Sequence, residues 1–150
     1  HAEQILRQRF DELDRYGWSF AVVMVDLDRF KTVNDTYGHD MGDRVLRMVS
    51  ETLSHNLRPS DFVGRWGGDE FLLVLPRVDR TLLDVAVDRL RALVPRSFLT
   101  TAGGQRVAVS ASFGATLARR GETAAAVVNR ADEVLLASKA AGRTELHGTD

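Results

Sequence analysis

Arg65-Trp66-Gly67-Gly68-Asp69-Glu70-Phe71 joins two apolar runs, Phe62-Val63 before it and Phe71-Leu72-Leu73-Val74-Leu75 after it. A two-residue Gly-Gly connection between strand-like runs predicts a tight hairpin, because such turns need positive φ. Glycines also leave the space above a turn open, so a bulky ligand can approach the backbone. Two carboxylates, Asp69 and Glu70, stand beside that space, and hard cations prefer carboxylate oxygen. A phosphate-bearing substrate with its metal ion fits a place of this kind.

Working outward, Phe20-Ala21-Val22-Val23-Met24-Val25 is a continuous apolar run of strand length, which predicts a strand buried on both faces. Asp26-Leu27-Asp28 stands at its C-terminal end. Ahead of it, Ile5, Leu6, Phe10 and Leu13 share one face of a helix over residues 1–16, stopped by Gly17. The chain opens inside that helix without a start signal, so we expect it to be cut from a longer protein. A short polar segment with Asn34, Asp35 and Gly38 leads into a second long helix. Asp40 is its expected N-cap, with Asp43 in the capping-box position. Val45, Val49 and Leu53 carry the apolar stripe to about Leu57, and Pro59-Ser60 breaks it.

A third helix is predicted over residues 81–94, with Leu82, Ala86, Leu90 and Leu93 on one side. Residues 98–101 and 107–113 flank Gly103-Gly104 as another hairpin, with Val107, Val109, Ala111 and Phe113 alternating inward. The last helix places Ala124, Val127, Val128, Ala131, Val134, Leu135 and Ser138 at helical spacing and should end at Gly142. A brief strand over residues 144–146 would then close the domain. Hairpins arriving between helices predict an α+β domain with a central, mostly antiparallel sheet flanked by helices.

With 150 residues, 44% hydrophobic and 27% charged, the chain is a single domain able to bury a core without staples. Its net charge of −1 argues against nucleic acid or a membrane surface as a partner. The absence of cysteine excludes disulfides, thiolate metal sites and a cysteine nucleophile. That suits a cytoplasmic location, the full-length protein being free to carry a membrane anchor elsewhere. No apolar run reaches the roughly 20 residues of a membrane span, and no signal peptide is visible.

The polar residues admit two readings each. Asp26 ends one predicted strand and Asp69-Glu70 begin another; if those strands are antiparallel neighbours, the carboxylates converge on a site suited to Mg²⁺. The same acids would also serve as turn residues. Lys31, one turn past Asp28, suits a phosphate held at a helix start, or is a surface lysine. Asn34 and Asp43 can together read a guanine edge, or act as turn and cap groups. Lys139 and Arg143 end the last helix, where cations complement its dipole in any case.

Taken in order, these blocks resemble a known family. Asp26-Leu27-Asp28-Arg29-Phe30-Lys31, then Asn34-Asp35, Gly38-His39 and Gly42-Asp43, make the first block. Arg65 with Gly67-Gly68-Asp69-Glu70-Phe71 makes the second. Ser112-Phe113-Gly114 follows, and then Ala131-Asp132, Leu135, Lys139 and Gly142-Arg143. The pattern is similar to the GGDEF-domain diguanylate cyclases from about Phe20 to Leu146. The resemblance implies the nucleotide-cyclase and polymerase-palm (ferredoxin-like) fold. It implies condensation of two GTP molecules into cyclic di-GMP with release of pyrophosphate, using Mg²⁺ or Mn²⁺.

Carried over by residue, Asp26, Asp69 and Glu70 look like metal ligands, together with the Leu27 carbonyl. Asp69 holds the position of the base for the attacking 3′-hydroxyl, supported by Glu70. Lys31 looks like the charge stabiliser, with Lys139 and Arg143 on the outer phosphate oxygens. Asn34 and Asp43 look like the guanine readers, with Phe30, Gly67 and Gly68 lining the nucleotide. One domain would supply half a site, so the working unit should be a two-fold homodimer. Arg58-Pro59-Ser60-Asp61 matches the family's Arg-x-x-Asp product site, with Arg89 as a further contact, which implies feedback inhibition by cyclic di-GMP.

The family's Asp-x-Leu-Thr-Gly-Leu-x-Asn-Arg segment is absent ahead of the first helix. Leu136 stands where a tyrosine is usual and Thr144 where an asparagine is usual. An N-terminal sensory or regulatory domain is the expected covalent partner. A catalytically silent receptor for GTP or cyclic di-GMP is the rival reading, and a single-substrate nucleotide cyclase a third.

Overall fold

The structure is a computed structural model that describes the backbone of residues 1–148 and the side chains of residues 1–141. Four antiparallel strands lie in the order β2-β3-β1-β6: β1 (Phe20–Leu27), β2 (Phe62–Arg65), β3 (Glu70–Pro76) and β6 (Ala111–Leu117). A separate two-stranded ribbon pairs β4 (Leu99–Thr100) with β5 (Arg106–Val107). Around the sheet run α1 (Ala2–Tyr16), α2 (Phe30–Tyr37), α3 (His39–His55), α4 (Arg80–Leu93) and α5 (Ala124–Gly148). The expected α+β architecture, an antiparallel sheet flanked by helices, is what the chain adopts.

The two faces of the sheet follow from the period-two alternation of strands. Ala21, Val23, Val25 and Leu27 join Phe71, Leu73 and Leu75 in a core closed by α3 and α4. Phe20, Val22 and Met24 join Leu72 and Val74 in a second core, closed by Leu6 and Leu13 of α1 and by Val127, Val128, Ala131 and Leu135 of α5. With helices on both faces, β1 carries no polar residue before Asp26. By the same alternation, Asp26 and Glu70 continue the row that faces α5. Gly114 marks the closest approach of that helix: a Cβ there would lie 2.3 Å from both the Ala131 carbonyl oxygen and the Leu135 nitrogen.

Several local expectations change. The short polar segment expected to lead into the second long helix is itself a helix: α2 buries Val33 and packs Phe30 and Tyr37 on the core, an i, i+3, i+7 stripe partly masked by Asn34 and Asp35. The N-cap of α3 is Gly38, at φ 92°, not Asp40. A glycine in that conformation lets one helix pass straight into the next, and Asp40 sits in the first turn, where its charge favours the dipole. In α4 the buried stripe is Leu83, Val87 and Leu90, followed by Val94 in a short 3₁₀ turn, while Leu82 is exposed. Both stripes share helical spacing; Asp79, whose carboxylate caps the Leu82 amide, fixes the helix start, and packing against the sheet turns Leu83 inward.

Residues 107–113 divide between β5 and β6, because the latter half pairs with β1 (Val25↔Phe113, Leu27↔Ala111) and only Val107 pairs with β4. The inward set Val107, Val109, Ala111 and Phe113 is buried as expected. Finally, α5 does not stop at Gly142, nor does a strand follow; the helix runs on to Gly148. One interior glycine costs a helix about 1 kcal/mol, which the good helix formers on either side offset.

Candidate active site

The β2–β3 hairpin forms, but by a different turn from the one expected. Arg65 pairs with Phe71, and the Trp66 amide donates to the Glu70 carbonyl at 2.9 Å, leaving a four-residue connection in which neither Gly67 nor Gly68 has left-handed φ. Glycine is needed at 67 for space: a Cβ there would meet Glu70 Oε1 at 2.6 Å, whereas Gly68 borders open space. Arg65 braces the turn from outside, its guanidinium donating to the Gly68 carbonyl at 2.7 Å. Sequence reasoning gave Arg65 no role, although its two-to-three-residue separation from the glycines was a local signal. Trp66 is 44% exposed at the rim.

β1 and β3 are antiparallel neighbours, as the carboxylate reading requires. Asp26 pairs directly with Glu70, and the Leu27 amide donates to the Asp69 carbonyl at 3.1 Å. On the shared face the Lys139 ammonium, one turn beyond Leu135 on α5, contacts Asp26 Oδ2. Burial, and then the charge of Asp26, raises the Asp69 carboxyl above its ordinary pKa. Glu70 is raised by burial first, then by Asp26, Asp132 and Asp69, with Lys139 acting against the rise. Asp132 is thus a further acid in the cluster, two helical turns before Lys139. Its spacing from Lys139 was a readable signal.

Asp69 comes within hydrogen-bonding reach of Asp26, but two carboxylates offer each other no donor hydrogen unless one is protonated. Asp26 Oδ1 is accordingly buried without a donor. An unpaired buried carboxylate oxygen beside a second acid, all donors being oxygen, fits a Mg²⁺ or Mn²⁺ ion. Among the described residues, no three carboxylate or imidazole groups are gathered as a ready-made cage. The acids are arranged around the Lys139 ammonium instead.

Asp28 takes no part in that cluster. Ser110 and Ser112 each donate to its carboxylate at 2.7 Å, which ties the end of β1 to the β6 side. These partners are 82 and 84 residues away, so no local pattern announces them. Arg29, at φ 55°, turns the chain from β1 into α2, placing exposed Lys31 in the first turn of that helix. Gly42, the residue before Asp43 on α3, admits the close approach of α2: a Cβ there would fall 1.9 Å from Asn34 Oδ1 and 3.2 Å from Phe30 Cζ. The side chains of Phe30 and Asn34 therefore lie directly against α3 next to Asp43. The side chain of Arg143 lies outside the described residues.

The Arg58–Asp61 pair lies at the far end of β2 from this cluster. Arg58 donates through Nη2 to Asp61 Oδ1 at 2.9 Å and also to the Pro76 carbonyl, while its amide donates to Asp61 Oδ2 at 2.8 Å. The Asp61 side chain is only 4% exposed, and that of Arg58 is 48% exposed. Arg89 donates to Asn56 Oδ1 at 3.1 Å. The pair forms a closed turn whose guanidinium retains an open face.

The family model described as "Diguanylate cyclase, GGDEF domain" matches residues 1–145. The chain is similar to diguanylate cyclase DosC of Escherichia coli K12, at 35% identity over 95% of this chain and 31% of that protein. It is also similar to response regulator PleD of Caulobacter vibrioides, at 39% identity over 88% of this chain and 30% of that protein. The chain therefore spans about a third of the length of these curated relatives.

Among solved structures, diguanylate cyclase SiaD from Pseudomonas aeruginosa, in complex with its activator SiaC, superposes with TM-score 0.90 at 41% identity, over 94% of this chain and 54% of that one. The GGDEF domain of DgcB from Caulobacter crescentus, in complex with c-di-GMP, superposes with TM-score 0.88 at 30% identity, over 94% of this chain and 84% of that one.

Proposed function

This chain belongs to the diguanylate cyclase GGDEF-domain family, and from that premise we propose that it condenses two GTP molecules into cyclic di-GMP, releasing two pyrophosphates. The observation that carries the reading is the meeting of Asp26, Asp69, Glu70 and Lys139 at one end of the β1–β3 pair, with one Asp26 oxygen buried and unpartnered. Asp26, Asp69, Glu70 and the Leu27 carbonyl would hold Mg²⁺ or Mn²⁺. When bound, that ion neutralises charge on the substrate phosphates. Lys31, Lys139 and Arg143 provide further cationic charge for those oxygens. Asn34 and Asp43 select guanine, with Phe30 beside them and Gly67-Gly68 keeping the floor open.

Asp69 is suited to accept the proton of the attacking 3′-hydroxyl, because burial first, and then the charge of Asp26, raises its pKa and with it its basicity. As that oxygen bonds to the α-phosphorus of a second GTP, the bond to pyrophosphate breaks. Positioning and charge neutralisation account for most of the acceleration in such transfers. The second nucleotide is held by a second copy of the domain, and a two-fold encounter makes both bond formations equivalent. We further assign Arg58, Asp61 and Arg89 to a product site through which cyclic di-GMP inhibits, once the Arg58–Asp61 turn opens. No helix among the described residues is long and apolar enough to cross a membrane. We place the domain in the cytoplasm with its nucleotide substrate, under control of a sensory domain elsewhere in the full-length protein.

The test is a fusion of this domain to a dimerising coiled coil, incubated with GTP and Mg²⁺ and analysed by chromatography. Cyclic di-GMP and pyrophosphate should appear, and Asp69→Ala should abolish both. A correctly folded dimeric fusion that binds GTP and forms no cyclic di-GMP sinks the enzyme reading and leaves a receptor. Full activity in Asp69→Ala sinks the site assignment.

A further inference from the structure

A recess of about 430 Å³ lies between the middle of α3 and the 3₁₀ turn that follows α4. That is within the roughly 300–1,000 Å³ of small-molecule sites. Arg44 and Arg47 line it from α3, and Arg96 lines it from the turn. Among the described residues, no carboxylate forms an ion pair with any of these three guanidinium groups. A fourth cation is close by, since the Arg106 guanidinium stacks over the ring of Phe98 at 4.1 Å and Phe98 lines the recess. The only acid in the lining is Glu51.

This concentration of positive charge stands on a chain whose net charge is −1, so it is a local feature, not a consequence of composition. Three guanidinium groups facing one space repel each other, and that repulsion is relieved by an anion with several oxygens, which arginine forks bind in paired hydrogen bonds. Beside Glu51 and Ser97, the remaining wall is formed by the apolar side chains of Met48, Leu99 and Phe98, the last of which is 43% exposed. A flat apolar surface next to clustered arginines matches a molecule with phosphates at one end and a planar ring at the other. A hydrogen bond of 2.9 Å between the hydroxyls of Thr52 on α3 and Ser97 ties the two walls together. The recess is also separate from the acidic cluster, sharing none of its side chains.

We infer that this recess binds a nucleoside polyphosphate, its phosphates on Arg44, Arg47 and Arg96 and its base against Phe98. The site is independent of the GTP half-site. Its ligand need carry no guanine, since no side chain in the recess occupies a position like those of Asn34 and Asp43.

The experiment titrates the folded domain with ATP and with inorganic triphosphate in metal-free buffer, following backbone amide signals by NMR. Both probes should shift the amides of Ser97, Phe98 and Leu99 and those of α3 from Arg44 to Glu51, with ATP binding more tightly. Arg47→Glu with Arg96→Glu should weaken both probes by at least about tenfold, the scale of a lost charge-assisted hydrogen bond. Phe98→Ala should remove the advantage of ATP over triphosphate, and Asp26→Ala should change neither affinity. Because Arg47, Arg96 and Phe98 are exposed, the variants should melt as the parent does. The inference is overturned if the shifts fall elsewhere, if charge reversal leaves affinity unchanged, or if ATP and triphosphate bind equally to the parent. None of these readings uses GTP turnover, so failure here leaves the cyclase proposal standing, and the reverse.

Discussion

Replacing Gly114 by alanine probes the contact that ties the sheet to the part of α5 that carries Lys139. The added methyl would lie 2.3 Å from both the Ala131 carbonyl oxygen and the Leu135 nitrogen, and 2.7 Å from the Leu135 Cα, where ordinary contact begins at 3.4 Å. All three neighbours are backbone atoms, so no side-chain rotation relieves the clash, and α5 must back away from β6 by about 1 Å. Ala131, Leu135, Val127 and Val128 are buried in that interface, so the retreat loosens a whole core at once. Overpacking against a rigid neighbour costs about 3 kcal/mol at the upper end of its usual range. For a domain of this size that lowers the melting temperature by roughly 6–12 °C.

Lys139 lies one turn beyond Leu135 and contacts Asp26, so the same displacement should pull its ammonium off the acids and depress cyclic di-GMP formation in the folded fraction. Urea denaturation followed by circular dichroism, with turnover measured on the dimerised fusion, reads both effects. A folded Gly114→Ala protein that loses less than about 1 kcal/mol and keeps full activity would refute the close-approach argument.

Two further outcomes follow from the site. Burial first, and then Asp26, holds the Asp69 carboxyl above its ordinary 3.8, and Glu70 is likewise raised above 4.5. Across that window the folded state keeps protons that the unfolded chain has released, so metal-free stability should fall as pH rises through it and stay lower above it. Asp69→Asn should consequently melt higher than the parent at neutral pH and converge with it below about pH 4, and a variant less stable than the parent at neutral pH contradicts this. Gly42→Ala should push Asn34 aside, since its Oδ1 lies 1.9 Å from the new methyl position. The expected reading is a rise of about tenfold in KM for GTP with kcat little changed, the scale of one lost hydrogen bond to a bound base. An unchanged KM would remove Asn34 from the guanine site.

Much of this molecule was legible from local pattern. The stripe of α3 and the alternation from Val107 to Phe113 each satisfied a period that only one element meets, and the doubly buried run at Phe20 was recognised by its strand length. What failed was of another kind. The Gly67-Gly68 turn was expected to need positive φ, which neither glycine adopts; Gly67 is required instead because a Cβ there would meet the side chain of Glu70, three residues away. In α4 two stripes fit the same helical period, and only the packing against the sheet distinguishes Leu83 from Leu82. At Gly142 a stop signal of about 1 kcal/mol was outweighed by the residues around it.

The candidate site divides along the same line. Residue types and their order along the chain supplied acids at two predicted strand ends and cations at the start of one predicted helix and the end of another, because charge and donor chemistry belong to each side chain wherever it lies. Tertiary structure alone decided which groups meet. Pairing β1 with β3 in one register sets Asp26 opposite Glu70, and the missing Cβ of Gly114 lets α5 approach until Lys139 reaches them. The recess of Arg44, Arg47 and Arg96 arises in the same way: 52 residues separate its outermost arginines in a chain of near-zero net charge. Charge is additive along a sequence, but the field it produces depends on distance, and only the fold sets those distances.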